Sequence, residues 1–361
     1  MPTKVIAFAM SFLSFFALWS PNAQPNNIPE TRGYVGEVPD KYGVWPTQDF
    51  VVDKTPRLWG GGLEFIFSVK GLFTGGHKNE SLLVLRRGKI VYESYAEGWD
   101  EDTAHPMFSV TKSVLSALVG IAIGEGKIMG VHQKVIEIVP EWTDTIAPGQ
   151  ESKRNMTIEH LLTMTSGLPG DGDYSDWNWW DAADTGEAAF QTPQAAAPGV
   201  RYSYSSGPGC QTLAGVVSKA VGKNLFEYAK EKLFTPLGMA SVTWDAAPDG
   251  LNTGGFGISM TPRDMARFGY LYLNYGRWDK QQIIPAGWVA VTPPKSKALK
   301  AYGYLFWNFP LLPFDNSFEA NGAFGQYIEI LPAWDTVIVR TGTQGPLDLF
   351  IQDIGMLLKL V

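Results

Sequence analysis

A serine and a lysine three residues apart stand at the head of an apolar segment in the stretch HPMFSVTKSVLSALVG, residues 105–120. A helix that begins here places Ser109 and Lys112 on one face, because they occupy positions i and i+3. Ser109 falls in the first turn, where unpaired backbone N–H groups and the positive end of the helix dipole favour an oxyanion. The pair is therefore a candidate nucleophile and base.

The charge pattern around Lys112 is unusual. It is the last charged residue before Glu125, and the positions between them are apolar, small or hydroxylated, which is typical of a buried helix. Burial penalises an ammonium and lowers its pKa, so that a partly neutral Lys112 can accept a proton from Ser109. The alternative, which the pair alone favours, is that Ser109 caps the helix and Lys112 reaches solvent.

Two later segments offer partners for this pair. The segment PGVRYSYSSGPG, residues 198–209, puts Tyr204 in a Gly/Pro-rich loop before a helix. A phenol there could shuttle protons, since a neighbouring ammonium lowers its pKa. The segment ANGAFGQYIEI, residues 320–330, puts glycines at the start of a strand, where a backbone edge can approach a ligand closely. Taken singly, a half-buried loop tyrosine and a simple turn explain these segments equally well.

Other kinds of site are missing from the sequence. It contains no Gly-x-Ser-x-Gly elbow, no His-Glu-x-x-His motif and no phosphate-binding glycine loop, and its four histidines lack metal-ligand spacing. The 361 residues carry a net charge of −7 and no Lys/Arg-rich run. We therefore expect no nucleic-acid partner and no metal.

The N-terminal residues predict export. Lys4 precedes an apolar run from Val5 to Trp19, and small residues follow it, which indicates a signal peptide over residues 1–23. An uncleaved anchor is the weaker alternative. Cys210 is the only cysteine, so the exported protein holds no internal disulfide. We expect it in the periplasm or the medium, without stable membrane insertion.

Strand patterns lie towards both ends of the chain and helical patterns fill the middle. A hairpin is predicted at 81–95, and two β-rich runs flank Pro332–Asp335 within 326–342. An extended lead-in is expected at 24–60, and helices at 109–124, 157–168, 210–222, 224–239, 260–276 and 345–360. Thr157 and Thr261 are the predicted capping residues of two of these helices. The economical architecture is one sheet built from both termini with a helical domain inserted. The predicted divisions are α/β over 24–130, helical over 131–299 and α/β over 300–361.

Six motifs, taken in order, resemble the serine hydrolases of the β-lactamase and penicillin-binding-protein superfamily. They are SVTK at 109–112, TIEHLLTMTSGL at 157–168, YSYSS at 202–206, FTPLGM at 234–239, TPRDMARFG at 261–269 and GAFGQ at 322–326. The resemblance spans roughly residues 80–345 and is strongest to the 6-aminohexanoate-dimer hydrolase and esterase branch, which is related to class C β-lactamases. It implies an α/β plus all-α fold, an antiparallel sheet flanked by helices, and catalysis without a cofactor.

The resemblance also implies roles for individual residues. Ser109 would be the acylated nucleophile, Lys112 the general base, and Tyr204 the residue that passes a proton to the leaving group. The backbone N–H groups of Ser109 and Ala323 would form the oxyanion hole. Further substrate contacts would come from Ser206, which replaces the family's usual asparagine, and from Gly322, Gly325 and Gln326.

Two features bear on the substrate. Ala320 stands where the family usually has Lys or His, and the missing cation argues against a penicillin-type substrate. The loop DGDYSDWNWWD, residues 171–181, is either anchored by its rings or forms a lid, with Tyr174 donating to an amide or ester and acidic residues favouring an amine. The predicted function is hydrolysis of a small amide or ester. The alternatives are a β-lactamase or D-alanyl-D-alanine carboxypeptidase, and an inactive binding or sensor module.

Overall fold

The computed structural model describes residues 78–172, 178–292, 302–308 and 317–344. The predicted signal peptide, the extended lead-in, Tyr174 and the predicted C-terminal helix lie outside the described residues. No helix among the described residues is long and apolar enough to cross a membrane.

The strands, numbered in chain order, are short except in the central sheet. They are β1 (Lys78–Arg86), β2 (Lys89–Tyr95), β3 (His105–Pro106), β4 (Thr243–Trp244), β5 (Ile258–Met260), β6 (Arg277–Trp278), β7 (Gln281–Gln282), β8 (Tyr302–Gly303), β9 (Phe306–Trp307), β10 (Phe318–Gly322), β11 (Gln326–Leu331) and β12 (Thr336–Gln344).

Within the described residues, seven of these strands form one antiparallel sheet in the order β2-β1-β12-β11-β10-β9-β8. Strand β1 pairs with β12, with Leu83 opposite Val339, so the sheet joins both ends of the described chain. Both side chains are fully buried, as expected for β-branched and aliphatic residues in a central strand. This confirms the antiparallel sheet built from both ends and the predicted hairpin at 81–95.

The helices lie between β2 and β8 in the chain. They are α1 (Val110–Gly124), α2 (Val135–Ile138), α3 (Ile158–Leu162), α4 (Thr185–Gln191), α5 (Pro208–Val221), α6 (Leu225–Ala229), α7 (Thr235–Leu237), α8 (Pro262–Leu273) and α9 (Ala286–Val291). Short 3-10 helices span Pro140–Thr143, Glu151–Asn155 and Pro332–Trp334, and a π-helical turn spans Lys230–Phe234.

Side-chain caps fix the starts of two helices as the sequence predicts. The Thr157 side chain accepts a hydrogen bond from the His160 N–H at the start of α3, and Thr261 does the same for Asp264 at the start of α8. Each bond satisfies an amide that has no partner within its own helix.

Helix α1 is enclosed by both halves of the molecule. It packs against β10 and β11 of the sheet on one side and against α5 on the other. Every residue from Val110 to Ala122 is buried. The apolar residues all around this helix are explained by these contacts on opposite sides.

Three details differ from the sequence-based expectations. The helix predicted over 224–239 is divided into α6, a π-helical turn and α7. The short pairing of β3 with β5, which leads into α1, has too few residues to show a strand pattern. Helix α8 lies within the range predicted for the helical domain, yet it packs on β11 and β12. The predicted domain boundaries remain predictions.

Candidate active site

Ser109 stands where the chain turns sharply into α1. The residue before it, Phe108, has φ of 47°, a left-handed conformation that non-glycine residues adopt at a cost and that clusters at functional sites. Ser109 occupies the N-cap position in a right-handed conformation and its side chain makes no capping hydrogen bond. Its Oγ lies 2.8 Å from Lys112 Nζ instead. The Ser109 side chain therefore does not cap the helix, as the alternative interpretation required.

Lys112 is enclosed rather than exposed. Only 1% of the residue is accessible to solvent, so it does not reach the surface. Its Nζ also donates a hydrogen bond of 2.8 Å to the carbonyl of Gly255. Burial lowers the pKa of Lys112, and the neighbouring Cys210 and Asp171 oppose that shift. The predicted direction of the pKa shift is confirmed, and so is its cause.

Tyr204 closes the other side of this pair. Its ring centroid lies 4.9 Å from Lys112 Nζ, and its side chain hydrogen-bonds with those of Ser109 and Ser206. Ser109, Lys112, Tyr204 and Ser206 thus meet in one cluster.

The electrostatic expectation for Tyr204 was wrong. Burial raises the pKa of its phenol well above the usual value, and the hydrogen bonds from Ser109 and Ser206 oppose this shift only in part. The reason is that no water solvates a phenolate at this depth, which outweighs a nearby ammonium whose own charge is disfavoured.

A carboxylate that the sequence did not single out holds the tyrosine segment. The Asp171 N–H donates to the carbonyl of Tyr204 at 2.8 Å, and Asp171 Oδ1 accepts from the Ser206 N–H at 2.7 Å. The sequence pattern predicts for Asp171 only the role of one of several loop acids that favour a substrate amine. Asp171 and Tyr204 are far apart in the sequence, so no local pattern predicts their contact.

The turn between β10 and β11 lies against the segment that leads to Ser109. A Cβ added to Gly322 would be 2.3 Å from the carbonyl oxygen of Met107, so only glycine fits there. The rings of Phe108 and Phe324 meet edge to face, with centroids 5.1 Å apart, and Phe324 also has positive φ, at 64°.

These contacts place Ala323 beside the nucleophile. Within the described part of the chain, neither the N–H of Ser109 nor that of Ala323 donates a hydrogen bond. A left-handed residue followed by a right-handed one, as in Phe108 and Ser109, is a backbone pattern that directs N–H groups at an anion. The arrangement suits the predicted oxyanion hole, which can be tested by the effect of a substitution on kcat.

Gly325 and Gln326 are tied into the sheet. The Gly325 carbonyl accepts from Arg340 Nη1 at 2.8 Å. The Gln326 side chain, 2% exposed, donates to the carbonyl of Gly342 at 2.6 Å and accepts from its N–H at 3.4 Å. These bonds hold the turn that presents Ala323. The predicted contacts of Gly322, Gly325, Gln326 and Ser206 with substrate remain predictions.

Ala320 is fully buried and belongs to the apolar core. Its neighbour Asn321 bonds through Nδ2 to Glu319 at 2.7 Å. The side chain at position 320 therefore supplies no charge to the site.

Aromatic side chains pack around Tyr204. Its ring centroid lies 5.8 Å from that of Tyr302 and 5.6 Å from that of Trp307, and Tyr202 packs edge to face on Tyr302 at 5.9 Å. No sequence pattern predicts Tyr302 and Trp307, because they belong to two-residue strands. Along the loop at 171–181, Trp180 stacks on Phe256, with centroids 6.3 Å apart. Phe256 follows the Gly255 that binds Lys112, so a ring anchors this end of the loop.

No cluster of three or more metal-ligating side chains occurs among the described residues. The side chains of Ser109, Lys112, Tyr204 and Ser206 are of the types that perform nucleophilic and acid–base chemistry. A hydroxyl beside a buried amine, a neutral phenol on that hydroxyl and two free N–H groups are the parts that acyl transfer requires.

Comparisons with known proteins identify relatives of this chain. The 6-aminohexanoate-dimer hydrolase of Paenarthrobacter ureafaciens is 27% identical over 227 aligned residues, and the match covers 58% of this chain and 56% of the relative. The chain thus matches little more than half the length of that curated relative.

Two solved structures share the fold at low sequence identity. A Bacillus anthracis protein provisionally assigned as a 6-aminohexanoate-dimer hydrolase superimposes with a TM-score of 0.69 at 21% identity, over 88% of each chain. EstCE1, a hydrolase with promiscuous acyltransferase activity, gives a TM-score of 0.67 at 15% identity, over 83% of this chain and 98% of that one.

The Beta-lactamase family model matches residues 73–353, which is well over half of the chain and includes every residue of the cluster around Ser109. The fold found here, with an antiparallel sheet and flanking helices, is the one that these solved structures share. The chain belongs to the beta-lactamase family.

Proposed function

We propose that the protein is an exported serine hydrolase that cleaves a small amide or ester bond through an acyl-enzyme. The observation that carries this proposal is the contact of 2.8 Å between Ser109 Oγ and the buried Lys112 Nζ. Neutral Lys112 can accept the Ser109 proton through this contact while Ser109 attacks the substrate carbonyl. Lys112 is suited to this role because burial favours its neutral form.

Tyr204 is suited to the proton transfer that follows. Its raised pKa keeps the phenol protonated, so that it can donate to the departing amine or alcohol and recover a proton from Lys112. The acyl group then stays on Ser109, and water releases it when the same groups move protons in reverse. The negative oxygen that forms in both steps would bind the N–H groups of Ser109 and Ala323.

The substrate class is inferred from the missing positive charge at position 320 and from the named relatives. A penicillin-type substrate carries a carboxylate, and the buried Ala320 offers it no positive partner. The named relatives include a 6-aminohexanoate-dimer hydrolase and EstCE1. We therefore infer a linear amide or an ester. Export to the periplasm or the medium rests on the N-terminal sequence.

An activity screen with a site-directed probe tests the proposal. A fluorophosphonate should label the folded wild-type protein, and Ser109→Ala should abolish the label and lower kcat by several powers of ten, on the order of 10⁴ or more. Steady-state turnover should be seen with p-nitrophenyl acyl esters or 6-aminohexanoate oligomers. Nitrocefin turnover at ordinary enzyme rates would instead indicate a β-lactamase. Binding of these compounds without turnover would indicate an inactive module.

A further inference from the structure

Asp171 holds the catalytic tyrosine segment on two sides at once. Its own N–H bonds to the carbonyl of Tyr204 at 2.8 Å, a contact that any residue type can make through its backbone. Its Oδ1 accepts from the Ser206 N–H at 2.7 Å, and this second contact needs an acceptor side chain. The Tyr204 side chain branches from the Cα directly before the first of these two attachment points, so both bonds bear on where its hydroxyl lies.

The segment of residues 169–171 packs closely against residues 203–205. A Cβ added to Gly170 would be 2.5 Å from Ser203 Oγ and 3.0 Å from the Tyr204 carbonyl oxygen. The Ser205 hydroxyl adds a hydrogen bond of 2.7 Å to the carbonyl of Pro169. Residues 169–171 therefore form a fixed support under Tyr204, and Asp171 is its charged member.

The carboxylate also matters to Lys112. This ammonium contacts the Ser109 hydroxyl, the Gly255 carbonyl and the Tyr204 ring, and the Cys210 thiol and the Asp171 carboxylate act on it electrostatically. Burial raises the pKa of Cys210 to about 12, and it also raises the pKa of Tyr204. Both groups are thus neutral near pH 7. Among these described neighbours, the negative charge comes from Asp171.

We propose that Asp171 is a positioning residue of this active site, which fixes Tyr204 and Ser206 by hydrogen bonds and supplies the negative charge that Lys112 faces. The inference rests on the proposed function, in which Lys112 must lose its proton before it can act as a base. Two effects follow, one from the hydrogen bond and one from the charge, and two substitutions separate them.

Asp171→Asn keeps an acceptor for the Ser206 N–H and removes the charge. The base form of Lys112 then forms at lower pH, so the acid limb of the kcat/KM profile moves to lower pH. At a pH on that limb, each protein keeps a fraction of its own plateau kcat/KM. This fraction should be about threefold or more larger in Asp171→Asn than in wild type. Its plateau kcat should stay within a few-fold of wild type.

Asp171→Ala removes both the charge and the acceptor. We expect kcat to fall by about tenfold or more, with KM changed by less than about twofold, because Tyr204 acts mainly in the transition state. Hydrogen exchange in a peptide that covers Ser206 should be faster in this variant than in Asp171→Asn. The matched control is Asp144→Asn, which removes the same charge at an exposed site and should change none of these quantities.

A readout without turnover separates failure of this inference from failure of the proposed function. In protein with ¹³Cε-labelled lysine, the Lys112 signal, assigned by its loss in Lys112→Met, should titrate at lower pH in Asp171→Asn than in wild type. An unchanged Lys112 titration refutes the charge effect, whether or not the protein turns over substrate. Wild-type kcat and wild-type exchange at Ser206 in folded Asp171→Ala refute the hydrogen-bond effect.

Discussion

The turn between β10 and β11 permits a direct test of the oxyanion hole, because Gly322 has no space for a side chain. In Gly322→Ala, the new Cβ would lie 2.3 Å from the Met107 carbonyl oxygen and 3.1 Å from the Gln326 Cβ. Cβ atoms in folded proteins essentially never approach another heavy atom closer than 3.0 Å. The strand end and the segment before Ser109 must therefore separate by about 0.7 Å.

This separation passes directly into the site. Met107 is two residues before Ser109, and Gly322 precedes Ala323, so the gap between the two N–H donors widens. Such donors work at about 2.7–3.1 Å from the oxyanion, and the loss of one typically costs about 10²–10³ in kcat. We expect a loss of that size in Gly322→Ala, with a smaller change in KM.

The assay is steady-state hydrolysis of a p-nitrophenyl ester, with thermal unfolding measured on the same sample. The control is Gly98→Ala, the same chemical change at an exposed turn where no atom lies within 4 Å of the new Cβ. Its positive φ of 86° makes alanine somewhat destabilising there, but kcat should be unchanged. A folded Gly322→Ala protein with kcat within about threefold of wild type would refute the assigned oxyanion hole.

Three further outcomes are expected. Tyr204→Phe should lower kcat by about 10²–10⁴ for an amide and less for a p-nitrophenyl ester, whose leaving group needs no proton. Tyr202→Phe, which loses a buried hydroxyl that has no hydrogen-bond partner among the described residues, should leave kcat unchanged; equal losses on both substrates in Tyr204→Phe would contradict a donor role. His105 is fully buried and its pKa is lowered to about 4 from 6.5, so wild type should lose stability as the pH falls from 6.5 to 4, and denaturant titrations should show His105→Gln losing up to about 3 kcal/mol less. Glu319 and Glu329 are paired in the sheet, and burial raises the pKa of both. Wild type should therefore lose stability as the pH rises above 4.5 and through these raised values, and Glu329→Gln should lose less; parallel stability curves for the two proteins would contradict the raised pKa values.

Local patterns made Ser109 and Lys112 a candidate pair, and the resemblance carried by the six ordered motifs implied their roles. The i, i+3 spacing of Ser109 and Lys112 and the apolar positions after them describe one helix, and the structure places both side chains within 2.8 Å of each other. The hairpin at 81–95 and the capped start of α8 were also predicted, because each depends on residues adjacent in the chain. The predicted lowering of the Tyr204 pKa failed, since burial from distant elements decides it.

The sequence by itself determined the candidates for the chemistry, because residue type, spacing along the chain and the ordered motifs single out Ser109, Lys112 and Tyr204. Only the tertiary structure decided how they are supported. Asp171 reaches Ser206 across 35 positions and Lys112 reaches the Gly255 carbonyl across 143, and Gly322 meets Met107 where the sheet touches the start of α1. Hydrogen bonds and close approaches between distant segments leave no periodic trace in the sequence, since each needs one acceptable residue at each end and the fold to bring the ends together.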